Sequence, residues 1–392
     1  MSWGCKNPPP GPISENRNYL QTTDRVLTHP DGKSTKVGCS DPASRIKRRR
    51  HRWRRAYKMG LGDFLCQEAQ TPLLESYVMA GVIVSIASNS EDILAAARDC
   101  FCPVGTPSSE PRLHLRFWVD PNGSTQPPWP KPYFGGLDHL VYGAFEPHSS
   151  MLMDLRKLRA IGRFSPAMAA DHTYWQTVVF PSVVTVLGAA AGVTPLHCAC
   201  VVRNESGLVL AGLSGAGKST LSFALARKGF SFLSEDWTYF SQREGEVVAW
   251  GLPTPVKLLP DVARFFPELR SLESVTTLNG ERAYLVDAAA GGGLPRRRFC
   301  QPRWLVFLEC RAARMFRLSR MRSREAVARL ERDLLPQTPE AEKFQRTTIA
   351  ALAERECWRL EFGGPPEATA SALTYFCDFG EPKEIPVAGE RQ

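Results

Sequence analysis

The chain has 392 residues, 43% of them apolar and 23% charged, the composition of a globular protein that can bury a full core in one large domain or two moderate ones. Its formal charge of +9 is local, because Arg45, Lys47, Arg48, Arg49, Arg50, Arg52, Arg54, Arg55 and Lys58 supply nine positive charges within one short run. The rest is neutral, which excludes long-range attraction to polyanions as a property of the folded body, and nucleic acid is not an expected partner of it.

In chain order, residues 1–58 come first. "NPPPGPISENRN" and "HPDGKSTKVGCSDPASR" lack any apolar period and lead into "RIKRRRHRWRRAYK". Such a segment buries too little surface to offset its ordering entropy, so we expect a disordered basic tail, with Met59 as an alternative start. Residues 59–196 read as a smaller mixed α/β domain. "YVMAGVIVSIASN", "LHLRFWVD" and "HLVYGAFE" each read as a strand, rich in β-branched or aromatic residues. "SEDILAAARDCF" reads as a helix with Ser90 at its N-cap, and "DPNGSTQPPWPKPYFGG" as a loop. A second helix is expected from about 171 to 191, capped by Asp171. Its apolar stretch Thr177–Val193 is short for a membrane span and carries Pro181, so a buried helix is expected and no span.

From 197 to 380 the chain alternates strand and helix, the pattern of an α/β domain. "LHCACVV" and "GLVLAG" flank the turn "RNES". "STLSFALARKG" is a helix closed by Gly229, and "FSFLS", "WTYFS" and "EVVAW" are strands. "RWLVFLEC" and "RMFRLS" follow as strands, then two helices, "CWRLEFG", and a closing helix "PEATASALTYFCDF". Residues 381–392 read as a flexible tail. The eleven cysteines are scattered, with no CxxC pair and no zinc spacing. They read as reduced thiols of a cytoplasmic protein, as does Cys100-Phe101-Cys102, and no secretory signal is visible.

One motif carries chemistry. Gly212-Leu213-Ser214-Gly215-Ala216-Gly217-Lys218-Ser219 matches G-x-x-x-x-G-K-[ST], with an apolar strand before it and a helix beginning near Lys218 and running on through Thr220. Glycines let backbone N–H groups turn toward phosphates, and the helix N-terminus adds its dipole. This predicts nucleotide binding, with Lys218 on the β- and γ-phosphates and Ser219 on Mg2+. The loop alone does not name the reaction. Residues 220–392 hold no LSGGQ-type signature and no N-K-x-D motif, which argues against a transporter ATPase and a GTPase. "WLVFLEC" reads as a core strand ending in Glu309, and Arg296-Arg297-Arg298 as a solvated basic loop.

Glu235-Asp236 follows Lys218 by 17 residues, room for one helix and one return strand. If "FSFLS" runs beside the strand that feeds the loop, both acids arrive at the phosphate end of the sheet. One could then assist magnesium while the other accepts a hydroxyl proton. An acidic turn between strands is the plainer reading of the same residues. His197 opens the strand before the hairpin, which would set it near the same end.

Taken together, "PLHCACVVRNESGLVLAGLSGAGKSTLSFALARKGFSFLSED" resembles the catalytic core of the HPr serine kinase/phosphorylase family over residues 195–240. "AWGLPTPVKLLPDVARFFPEL" is similar to a Pro-containing segment of HPr-kinase-like proteins. The resemblance implies an α/β nucleotide domain of the HPr kinase and phosphoenolpyruvate carboxykinase type. It implies ATP and Mg2+ at residues 212–220 and the metal on Ser219 and Asp236. Lys218 and His197 would then sit at the transferred phosphate, with Glu235 at the place of the family's base aspartate. It also implies a serine kinase acting on a small protein or peptide, and a homo-oligomer. Two departures shape the expectation. Glu235 is one methylene longer than Asp, and no E-[IV]-R-G stretch follows Trp250, so phosphorylase activity is not expected. The alternative is an ATP-binding switch or assembly protein with little phosphotransfer, which would not need the acid pair.

Overall fold

The computed structural model describes residues 69–104, 110–123, 125–286, 294–312, 315–332, 334 and 338–380, all in one compact unit. The basic run at 45–58, the N-terminal tail and residues 381–392 lie outside the described residues. The architecture is mixed α/β, with several sheets.

The first sheet comprises β1 (Leu73–Met79), β2 (Val82–Ser88), β3 (Cys102–Pro103), β4 (Leu113–Val119), β5 (Tyr133–Leu137), β6 (Leu140–Glu146), β7 (Ser149–Asp154) and β8 (Arg159–Phe164), in the order β3-β1-β2-β4-β8-β7-β6-β5. "YVMAGVIVSIASN" is therefore two strands and not one. Ala80 and Gly81 adopt φ of 48° and 88°, a two-residue hairpin turn whose twist suits antiparallel strands. Helix α1 (Glu91–Cys100) crosses from β2 to the parallel strand β4. Ser90 stands at its N-cap without a side-chain cap bond; its N–H donates instead to Ser88 Oγ at 3.1 Å. Asp171 does cap the helical stretch that begins at His172, accepting from the Tyr174 N–H at 2.9 Å. That stretch places Trp175, Val179, Phe180, Val183, Val184 and Leu187 in full burial. Among the described residues, no helix is long and apolar enough to cross a membrane.

The second sheet contains β9 (Thr194–Leu196), β10 (Ala199–Arg203), β11 (Ser206–Ala211), β12 (Ser231–Ser234), β13 (Thr238–Arg243) and β14 (Glu246–Trp250). A small sheet of β15 (Val256–Leu258), β16 (Val275–Thr276) and β17 (Arg282–Val286) follows. The chain then returns to the large sheet with β18 (Phe299–Cys310), β19 (Met315–Arg320) and β20 (Glu356–Gly363). The order is β12-β10-β11-β18-β14-β13-β9, and the later half of β18 also pairs with β20, which pairs with β19.

Asn204 and Glu205, with φ of 48° and 63°, close β10 onto β11. That tight turn occupies the flank of β11, so β12 adds outside β10 and does not lie beside the loop-feeding strand. It is antiparallel to β10, hence parallel to β11, and its C-terminal end still reaches the loop end of the sheet.

Helix α2 (Lys218–Arg227) and the C-terminal helix (Pro366–Phe379) share one core, around Leu208, Leu210, Val306 and Leu360. The helices Ser323–Glu331 and Pro339–Ala353 contribute Ala326, Leu330, Ile349 and Leu352 to another, with Val209, Leu305, Phe307 and Cys357. These two sets alternate along β11, β18 and β20, so the sheet is covered on both faces.

Candidate functional site

The 212–217 loop joins β11 to α2. Gly212 is required by close approach: a Cβ there would lie 3.1 Å from the Leu308 carbonyl oxygen and 3.2 Å from Ala216 Cβ. Gly217 holds φ 92° at the helix N-cap, where a side chain would be strained. The Lys218 side chain is 6% exposed, and its ammonium folds back on the loop, donating to the Gly212 and Leu213 carbonyls at 2.8 and 3.3 Å. Helix α2 ends in a paired cap, with the Gly229 N–H on Ala226 O and the Phe230 N–H on Leu225 O. Gly229 at φ 89° thereby turns the chain into β12.

The acid pair occupies the turn between β12 and β13. The hydroxyls of Ser234 and Thr238 meet at 2.5 Å, and Thr238 Oγ1 donates to the Cys198 carbonyl at 2.8 Å, so the turn is pinned at its base. Glu235 points inward and is 6% exposed. It accepts the Lys257 backbone N–H at 3.1 Å. Burial, aided by the Asp236 charge, pushes its carboxyl up to about 7. Asp236 faces the open side. Partial desolvation pulls its carboxyl upward, but the hydrogen bond and charge of His197, with Lys218 and Lys257, outweigh this and hold it below the ordinary range.

His197 lies in the tight turn from β9 to β10, where the Cys198 N–H reaches the Leu196 carbonyl at 2.9 Å. Its Nε2 is 2.9 Å from Asp236 Oδ1, and its ring lies 5.7 Å from that of Trp237. His197, Ser214, Gly215, Gly217, Lys218, Ser219, Thr220, Glu235 and Asp236 thus line one cavity of about 300 Å3. Gly212, Leu213 and Ala216 belong to the loop but not to that wall.

Lys257, Asp261 and Glu281 add charged groups to the lining, beside Leu258, Leu259 and Val262, and the sequence reading passed over them. The signal for Lys257 was the alternation in "PVKLL". Val256 and Leu258 are fully buried, which turns the intervening lysine to the other face. Asp261 and Glu281 gave no such signal, since isolated acids near turns are ordinary.

Two other motifs fall elsewhere. Glu309 pairs with Arg329 at 2.8 Å, Arg311 at 2.7 Å and Arg359 at 3.4 Å, a surface ion network at the end of β18. The three consecutive arginines diverge: Arg296 donates to Thr254 O at 2.6 Å, Arg297 pairs with Glu205, and Arg298 reaches Asp99 O at 3.0 Å. They form no clamp. Cys100 and Cys102 are free thiols, and burial pushes Cys100 well up, which makes it a poor nucleophile.

No group of three or more His, Cys, Asp or Glu side chains among the described residues is arranged to hold a metal ion alone. A hydroxyl and a carboxylate, Ser219 and Asp236, nonetheless suit a hard cation that takes its other ligands from phosphate and water.

No protein-family model matches the chain, and no curated protein matches it. Among solved structures it is similar to the HPr(Ser) kinase/phosphatase from Coxiella burnetii. The identity is 11%, the match spans 48% of this chain and 99% of that one, and the TM-score of 0.26 is too low to establish a shared fold.

Proposed function

We propose that the protein is an ATP-dependent phosphotransferase that moves the γ-phosphoryl group to a serine hydroxyl of a small protein or peptide in the cytoplasm. The observation that carries this reading is the convergence of Lys218, Ser219, buried Glu235 and the His197–Asp236 pair on one cavity at the N-terminus of α2. The resemblance of residues 195–240 to the HPr serine kinase/phosphorylase core supports it. The triphosphate would lie in the 212–217 loop, against backbone N–H groups and the dipole of α2. Lys218 would leave the Gly212 and Leu213 carbonyls for the β- and γ-phosphate oxygens. Ser219 and Asp236 would hold Mg2+, which when bound neutralises phosphate charge.

Glu235 serves as base. Its carboxyl, raised to about 7, is basic enough to take a proton near neutral pH. The acceptor hydroxyl gives its proton to Glu235 while its oxygen bonds the γ-phosphorus. The bond from phosphorus to the β–γ bridging oxygen breaks, and ADP leaves with that electron pair. His197 holds Asp236 ionised for the metal. Lacking an E-[IV]-R-G stretch, the chain is proposed to run only in this direction.

The test is incubation with γ-labelled ATP and cell extract, followed by phosphoserine analysis of labelled proteins. A labelled serine that disappears in Lys218→Ala and Glu235→Gln supports the transferase. Nucleotide binding without a labelled product supports the switch.

A further inference from the structure

We infer that Lys257 is a second cation for the transferred phosphoryl group, kept in reserve by Glu281; this rests on the phosphotransfer reading above. Strand β15 anchors it. Val256 and Leu258, with no exposed surface, belong to the core shared with α2, and Lys257 between them lines the cavity. Its backbone is fixed as well, since the Lys257 N–H donates to Glu235 Oε1 at 3.1 Å. The residue that fixes the base is thus the residue whose ammonium enters the same cavity as Lys218.

The ammonium now sits 2.6 Å from Glu281 Oε2, with side chains 30% and 52% exposed. An ion pair at that exposure is weak, so exchanging it for a phosphate oxygen costs little. Glu281 would not be stranded by the exchange, because it also accepts from Asn279 Nδ2 at 2.7 Å. The charge balance of the wall points the same way. Four carboxylates, Glu235, Asp236, Asp261 and Glu281, share the wall with the cations Lys218 and Lys257 and with His197, which is taken up by Asp236. Phosphoryl transfer proceeds through charge spread on the equatorial oxygens, which cations stabilise.

If Lys257 merely tied down the Glu281 turn, removing either partner would have the same effect. The experiment therefore compares Lys257→Met, Lys257→Arg and Glu281→Gln in the full chain, by calorimetric titration with ADP and with a non-hydrolysable ATP analogue. Rates of label transfer are measured alongside. We expect Lys257→Met to weaken the ATP analogue at least tenfold while ADP binding changes less than about twofold. Lys257→Arg should restore part of the difference, and Glu281→Gln should leave the analogue as tight or tighter. Transfer should fall 10- to 100-fold in Lys257→Met and change several-fold less in Glu281→Gln. Equal losses in Lys257→Met and Glu281→Gln, or unchanged analogue binding in Lys257→Met, would overturn the inference. Because binding is read separately, a wild-type protein that transfers no phosphate but shows the expected affinity pattern sinks the transferase reading and leaves Lys257 in place. A wild-type protein that binds neither nucleotide sinks both.

Discussion

Glu235 and Asp236 are neighbours in the chain and carry opposite electrostatic shifts. Glu235 is turned into the protein, where burial dominates, and Asp236 is turned toward His197 and two lysines. Their environments divide the work: one carboxyl suited to exchange a proton near neutrality, one suited to stay charged beside a cation. The pH dependence follows. A base titrating near 7 should make transfer fall as pH drops below about 7, because the protonated carboxyl cannot accept the serine proton. Glu235→Gln should keep the Lys257 contact and lose transfer by 100-fold or more, measured as label incorporation. Stability should move the other way. Between its ordinary 4.5 and about 7, the folded protein holds a proton that the unfolded chain has released, so wild-type stability falls as pH rises through that window. The shift corresponds to about 3 kcal/mol at most. Glu235→Gln lacks this loss, so at pH 8 it should unfold at a higher temperature than wild type, with the difference vanishing toward pH 4.5. An equal or lower midpoint at pH 8 would contradict the assigned burial.

At the scale of elements, the site depends on where β12 ends. Gly251, just past β14, packs so close that a Cβ there would lie 1.9 Å from the Leu233 carbonyl oxygen, a backbone atom with little room to yield. Gly251→Ala should push the end of β12 outward and displace Glu235 and Asp236. We expect a loss of about 2–4 kcal/mol in denaturant unfolding and a larger loss of transfer than of nucleotide binding. Much of this element structure was legible beforehand. The G-x-x-x-x-G-K-S loop announces a strand, turn and helix, and Gly229 its end. The neighbour of β11 was not legible, because strand order in a sheet is set by which flank a tight hairpin leaves free. The β1–β2 hairpin was hidden for a related reason. Ala80-Gly81 interrupts an otherwise continuous apolar run, and an Ala in left-handed conformation gives no compositional signal. Lys257 was readable only as one half of an alternation whose partners had to be known as buried.

Across the whole molecule, the large sheet is covered on both faces, and the cavity opens at the carboxyl end of β11 where α2 begins. Ligand held there should stabilise the fold as a unit. ATP with Mg2+ at 100 times its dissociation constant should add about 2.7 kcal/mol, seen as a raised unfolding midpoint that Lys218→Ala abolishes. The alternation of strand and helix from 197 onward indicated this class of architecture, whereas the branching at β18 was not visible. A 12-residue strand that pairs with β14 at its start and β20 at its end looks, as sequence, like any long apolar run.

The most direct test of the central claim is single-turnover transfer from γ-labelled ATP to acceptor serine, comparing wild type with Glu235→Gln at saturating nucleotide. The account predicts that both proteins bind ATP alike and that only the wild type labels the acceptor, with a rate that falls below pH 7. Equal labelling by Glu235→Gln, or ATP binding by the wild type with no labelled serine in any acceptor fraction, would contradict it.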